Sequence, residues 1–411
     1  MSPALIVVFT SLLVLTAATG GQYVAVVAMV PMTGEMDWPR AVPSTAYAVS
    51  LLGMGIGGIL MGKWSDRVGV GPPVAVGAVM IAVGSVWASF ASSGWELVAA
   101  NGIFIGLFGT AAFFAPLMAN TTRWFTARRG IAVGIVSAGQ SLGGAIWPPI
   151  HRYVIDEAGW RTAYFSYALV ALVLCVPLAW FLRARPPESV AEDSTGPGSG
   201  ARFGSRMRTA FGLKVSLRML HVVLCVAIVG CCVAMSMPMV HVIAHATDLG
   251  HPPARAAEVL AILLLTSFVS RLLWGMLSDR IGGLLTLFIS SGCQAVMLCA
   301  FLMAEQLWSL YIVSALYGLA YGGVVPTYAV IVREYFPAAE LGWRMGMIYL
   351  FGTVGMALGG VVGGFVFDQV GNYFAAFSVG IAFNVGNLVL VAGLLFRESP
   401  VASIYRNSEG T

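Results

Sequence analysis

Arg271 is the residue of this 411-residue chain whose chemistry most needs an explanation. It lies in the stretch LLTSFVSRLLWGMLSDRIGG (264–283), within an apolar run of helical length. Holding an arginine in a membrane helix costs on the order of 3 kcal/mol on insertion scales, and such residues usually face a cavity and mark a substrate pathway. A guanidinium offers a planar pair of N–H donors that matches a carboxylate bidentately, so the chemistry on offer is anion recognition. Ser267 and Trp274, one turn to either side, and the adjacent Ser270 make the flank partly polar and aromatic. Snorkelling is the competing reading: Asp279 lies about 12 Å along a helix from Arg271, so a long side chain could reach the inner interface.

The elements that would hold this residue are set by composition. The chain is 58% hydrophobic and 10% charged, against roughly a quarter charged in soluble domains. Twelve apolar stretches approach or pass the roughly 20 residues needed to cross the hydrocarbon core, at 4–31, 43–63, 72–92, 97–120, 130–150, 162–182, 219–244, 256–276, 284–303, 307–332, 344–366 and 373–396. The first has no basic region before it and is too long for a signal peptide, so it reads as a retained helix. With the N-terminus inside, 17 of the 22 Lys and Arg fall in inner loops and tails, four (Arg40, Arg152, Arg161, Arg255) fall outside, and Arg271 is left over. The positive-inside rule therefore predicts a multi-pass protein with both termini cytoplasmic. This account of the charge leaves no reason to invoke nucleic acid.

By depth alone, Gln22 and Tyr23 on the first span, Asn120 on the fourth, Gln140 on the fifth, Tyr321 on the tenth and Tyr349 on the eleventh could hydrogen-bond a carboxylate or line an aromatic box. Each could equally make an interhelical hydrogen bond or sit in an interfacial belt. Glu258, near the outer end of the eighth span, and His241 and His245 on the seventh could carry protons, although a histidine near a helix end is often a bystander. The six cysteines fall in predicted helices as packing residues, without metal spacing. No nucleotide loop or catalytic constellation appears, so an enzyme or ATP-driven pump is not expected, and no cofactor is implied.

The sequence repeats. GKWSDRVG (62–69) recurs as GMLSDRIG (275–282), VIDEAGWRTAYF (154–165) as VFDQVGNYFAAF (366–377), and RWFTARRGIAVGI (123–135) more loosely as REYFPAAELGWRMGMI (333–348). Three matches in one order at nearly one offset mean a duplicated unit. Between the copies, residues 183–218 are rich in Pro, Gly, Ser and Arg and read as a cytoplasmic linker. The expected organisation is a six-helix bundle over 1–182, the linker 183–218, a second bundle over 219–396 and a cytoplasmic tail over 397–411. In the repeated motif the glycines allow close helix approach, the aspartate suits a helix N-terminus, and the arginine could pair with an acid. Plain positive-inside loop charge is the alternative.

Gly62, Asp66, Arg67 and Gly69, with Gly275, Asp279, Arg280 and Gly282, carry a resemblance to the major facilitator superfamily that covers essentially the whole chain. It implies an all-α membrane fold of twelve helices in two pseudo-symmetric bundles, with a substrate site near the midplane. It further implies that Asp66 faces the start of the eleventh span, near Gly342 and Arg344, and that Asp279 faces the start of the fifth, near Arg128 and Arg129. Both contacts would act as gates of alternating access. Drug/proton antiporters of this superfamily have a proline where this chain has Gln140. Arg271, four residues before Gly275, looks like the substrate-binding arginine of the monocarboxylate transporters and oxalate/formate antiporters. The oxalate carrier's lysine is missing from MGMIYLFGTVGMALGG in the eleventh span, so a second carboxylate would stay uncompensated. The acid one turn before the arginine is Ser267 here, and the first-span lysine of proton-coupled relatives is absent.

These features predict a secondary transporter of a small monocarboxylate such as lactate, pyruvate or formate. Protons or a counter-anion would be its co-substrates, the lipid bilayer its surroundings, and the monomer its working form. An oxalate/formate-type exchanger, a drug or other small-molecule carrier, and a non-transporting sensor are the alternatives. The strong preference for Arg over Lys, with abundant Ala and Gly, suggests a GC-rich bacterial genome and hence an inner membrane.

Overall fold

A computed structural model describes residues 3–39, 41–125, 128–184 and 216–395. Most of the predicted linker (183–218) and the whole tail (397–411) lie outside the described residues. Within them the chain is helical throughout, and eleven helical stretches are long and apolar enough to cross a membrane. One of these, Arg129–Phe181, has 53 residues. A helix of that length would run about 80 Å, more than twice the hydrocarbon thickness. Gly159 divides it, with φ 83° and ψ 165°, angles that only glycine adopts without strain. The fold therefore has twelve spans. Large apolar side chains such as Val173, Leu265 and Val361 lie exposed on their outer faces, as expected of helices solvated by lipid.

Span boundaries sharpen several expectations. The first span is Pro3–Val27, followed by a separate short helix, Met29–Met36. Glu35 on that helix accepts hydrogen bonds from Trp160 Nε1 (2.8 Å) and Arg161 (3.2 Å) at the start of the sixth span. The second span runs Ala41–Val68 and the eighth Pro253–Ile281. The repeated motif is thus the last two turns of a helix rather than a free loop, and the chain turns only at its final glycine, at Gly69 (φ 88°) and Gly282 (φ 83°).

The fourth and tenth spans are broken, which the hydropathy pattern does not reveal. The fourth runs as a helix over Gly94–Ala99, widens over Ala100–Gly109, tightens over Thr110–Ala112 and resumes over Phe114–Trp124. The tenth is split into Leu307–Tyr321 and Val324–Tyr335 by Gly322 and Gly323. Gly109, where the fourth span leaves helical angles, and Gly322 are 213 residues apart, the same offset as the motif aspartates. The breaks are therefore inherited from the duplicated unit.

Two compact units emerge from the packing. One gathers described residues of 1–126, 132–187 and 339–350; the other those of 127–131, 188–338 and 351–411. In the first, the second and fourth spans touch backbone to backbone. A Cβ placed on Gly57 would lie 1.9 Å from the Leu107 carbonyl oxygen, whereas one on Gly58 meets nothing closer than 3.8 Å. Small residues drive such approaches where lipid removes any hydrophobic gain from helix association. In the second unit, Pro238 of the seventh span (Leu217–Asp248) removes the N–H that the Ala234 carbonyl would take. Tyr317 of the tenth span donates its hydroxyl there instead, at 2.8 Å.

Gly57→Ala is expected to cost about 1–3 kcal/mol by overpacking and Gly58→Ala almost nothing, read as melting temperatures of the two purified variants in detergent.

Candidate functional site

In the second unit the site is organised by the break in the tenth span. Gly322 sends its N–H back to the Gly318 carbonyl (3.2 Å), and among the described residues no backbone N–H takes the neighbouring Leu319 carbonyl. Two side chains of the eighth span do so: Ser270 Oγ at 2.6 Å and Trp274 Nε1 at 2.7 Å. Between them in sequence stands Arg271, half-buried. Tyr321 is buried beside it. Close approach again depends on glycine, since a Cβ on Gly322 would lie 2.5 Å from the Ser267 carbonyl oxygen. The structure thus brings Arg271, Ser267, Ser270 and Tyr321 together. Ser267 donates to the Leu264 carbonyl (2.7 Å) and Ser270 to that of Leu319 (2.6 Å).

In the first unit, Gln22 is buried and reaches the other break, donating to Thr110 Oγ1 at 3.4 Å and contacting Met54 Sδ at 3.1 Å. Asn120 is buried on the fourth span with no hydrogen bond to its Nδ2. Tyr23 is half-buried with its hydroxyl against Gly144 of the fifth span. Gln140 is half-buried, and Tyr349 packs edge-on against Phe114 with ring centroids 4.9 Å apart. Of these residues, Gln22 contacts the break in the fourth span, through Thr110.

The motif aspartates sit on helix N-termini. Asp66 accepts from the backbone N–H of Gly342 (2.9 Å) and Trp343 (3.1 Å), at the start of the Leu341–Val370 helix. Asp279 accepts from those of Gly130 (2.5 Å) and Ile131 (3.0 Å), at the start of the fifth span. A carboxylate there satisfies orphan N–H groups and meets the positive end of the helix dipole. The motif glycines permit the contact: a Cβ on Gly62 would be 2.2 Å from the Gly342 carbonyl oxygen, and one on Gly275 2.4 Å from that of Gly130. Arg67 and Arg280 are exposed. Arg123, at the C-terminal end of the fourth span, forms an ion pair with Asp66. Arg128 is exposed in a left-handed conformation (φ 58°) just before the fifth span, and Arg129 opens it half-buried. Arg344 is buried and bonds Glu340 at 2.5 and 2.8 Å.

Of the titratable candidates, Glu258 stands on the same helix as Arg271, thirteen residues before it. Glu258 is exposed, bonded to Arg255 (3.0 Å) and to the Tyr311 hydroxyl. His241 donates from Nε2 to the Gly360 carbonyl (3.0 Å), and His245 packs against Tyr373 and Phe377. Among the described residues no cluster could hold a metal ion.

Several engaged groups escaped sequence reasoning. Glu334 accepts from the Gly283 N–H (3.1 Å), capping the ninth span, Gly283–Phe301. Trp147, His151 and Tyr167 donate to the carbonyls of Thr16 (2.8 Å), Gly20 (3.0 Å) and Ala17 (2.8 Å) along the first span. Arg123 and Glu334 had one available signal, their place as the first residues of RWF and EYF near the start of the matched repeat segments.

Comparison with known proteins gives this architecture its family. The family model described as Major Facilitator Superfamily matches residues 11–222 and 222–410. Among curated proteins, monocarboxylate transporter 13 of Bos taurus is 29% identical, over 83% of this chain and 76% of its own length. The MFS-type transporter hasB of Aspergillus fumigatus is 31% identical, over 74% of this chain and 68% of its own. Among solved structures, the proton:xylose symporter XylE superposes with a TM-score of 0.73 at 15% identity, covering 94% of this chain and 95% of that one. The chain belongs to the Major Facilitator Superfamily and is a multi-pass membrane transporter, not an enzyme.

Proposed function

We propose that this transporter moves a small monocarboxylate of the lactate, pyruvate or formate kind by alternating access, with Arg271 as the anchor of the carboxylate. The observation that carries the reading is a half-buried guanidinium beside a buried tyrosine at a helix break. It lies about 15 Å up the eighth span from its inner end, close to mid-depth. Broken helices near the midplane are where transporters of this kind build their sites. The name of the bovine relative supports the same substrate class. One guanidinium balances one carboxylate, whereas a dicarboxylate would keep a charge unmatched in a low-dielectric site. Arg344, the cation of the eleventh span, is already bonded to Glu340. Anion exchange or carriage of the protonated acid suits this chain better than a proton relay through Glu258, which is held in an exposed ion pair.

The two motif aspartates are the gate in this reading. Asp66 ties the second span to the eleventh, and Asp279 ties the eighth to the fifth, so each latch joins a span of one repeat to a span of the other. Charge at such a helix end contributes about 1–2 kcal/mol, enough to shift the balance between two access states about 5- to 30-fold. The loop charges support an orientation with both termini cytoplasmic, and the arginine bias supports a bacterial inner membrane.

Uptake of labelled lactate, pyruvate, formate and oxalate into proteoliposomes, with and without a pH gradient, tests the reading. A monocarboxylate should be taken up in preference to oxalate, and Arg271→Gln should raise its KM on the order of 10- to 100-fold through loss of charge-assisted hydrogen bonds. Preference for oxalate, or unchanged uptake by the variant, would contradict it. In the same vesicles Asp66→Asn and Asp279→Asn should each lower the maximal rate about 5- to 30-fold, while Lys63→Gln, at an exposed variable position within the motif stretch, leaves it within about twofold.

A further inference from the structure

We infer that Ser270 and Trp274 are positioning residues for Arg271, holding its helical turn against the Leu319 carbonyl at the break in the tenth span. The inference rests on the reading of Arg271 as the substrate anchor. Three observations lead to it.

The first is the orphan carbonyl. Where Gly322 and Gly323 interrupt the tenth span, the Gly322 N–H goes to Gly318, and among the described residues the donors to the Leu319 carbonyl are side chains. In a membrane interior a carbonyl without a donor is costly, so these bonds are strongly favoured over none. The second is convergence. Ser270 Oγ (2.6 Å) and Trp274 Nε1 (2.7 Å) stand one helical turn apart on the eighth span, yet meet on one oxygen. Two donors on one acceptor fix both the height and the rotation of that turn, where one donor would leave it free to pivot. The third is packing. A Cβ on Gly323 would fall 2.1 Å from Trp274 Cβ, and one on Gly322 2.8 Å from Ser270 Oγ. The two glycines that break the tenth span therefore also let these donors reach it.

Arg271 follows Ser270 and precedes Trp274 by one turn. At 100° per residue its side chain leaves the helix at the edge of the clamped face, beside Tyr321. The clamp sets where the guanidinium stands without touching substrate. Loosening it should weaken carboxylate binding while sparing the rate of the conformational cycle. Trp274→Phe keeps the ring that packs on Gly323 and removes the N–H; Ser270→Ala removes the hydroxyl.

The test measures uptake kinetics of the preferred monocarboxylate for wild type, both single variants and the double variant. Alongside, phenylglyoxal modification of Arg271 is read by peptide mass spectrometry on the same purified proteins, without substrate. Each single variant should raise KM about fivefold with the maximal rate little changed. The double variant should exceed either, and the rate of Arg271 modification should change severalfold in parallel. Lowered melting temperature and maximal rate with KM and Arg271 reactivity unchanged would mean that the two residues only support the fold, and would overturn the inference. Should the wild type carry no monocarboxylate, a shift in Arg271 reactivity in the variants still upholds the clamp while the substrate reading falls. Unchanged reactivity in a folded double variant refutes the clamp whatever the substrate.

Discussion

In the hydrocarbon core a backbone carbonyl that loses its helical N–H has no water to turn to, so every break in a spanning helix has to be met by a side chain. This constraint organises the chain. The tenth span is interrupted at Gly322 and Gly323, and the Leu319 carbonyl left behind draws Ser270 and Trp274 of the eighth span onto itself. Pro238 frees the Ala234 carbonyl of the seventh span, and Tyr317 answers it. At the seventh and tenth spans a neighbouring span supplies the donor to the freed carbonyl. Arg271 and Tyr321 stand at one break, and Gln22 touches the other through Thr110.

The same logic, applied to helix ends, explains the repeated motif. The first N–H groups of the fifth and eleventh spans lack helical partners, and Asp279 and Asp66 take them in turn. The motif glycines allow it because a single Cβ at Gly62 or Gly275 would collide with the backbone opposite. Contacts that depend on two backbones meeting without side chains between them form or part as a whole. That suits a latch better than a graded surface. Arg123, rather than the motif's own arginine, then balances Asp66, which leaves Arg67 and Arg280 exposed at the ends of their helices.

Much of this was legible in the residues. Twelve apolar stretches, the duplication and the two motifs follow from composition and spacing, because membrane thickness and backbone hydrogen bonding leave few alternatives. The lone arginine was legible for the same reason: a charge in hydrocarbon stands out. The breaks were not. Gly109 and Gly322 lie among many intrahelical glycines, and nothing in their sequence neighbourhood sets them apart. That the Ser270 proton goes to the Leu319 carbonyl was equally hidden, because the acceptor lies on another span. His151 was overlooked because nothing in its neighbourhood signals that the Gly20 carbonyl faces it across two spans. The seventh-span histidines were noticed for their pKa, yet His241 makes the same kind of bond, to the Gly360 carbonyl.

The central claim is that one guanidinium recognises one carboxylate by charge and bidentate geometry. Direct binding to the purified protein tests it most plainly, comparing lactate with lactamide, its neutral amide of nearly the same shape, by calorimetry. The account predicts that lactate binds on the order of a hundredfold more tightly than lactamide, and that Arg271→Gln abolishes the difference. Equal binding of the two ligands by the wild type, or a preference for lactate that survives in Arg271→Gln, would contradict it.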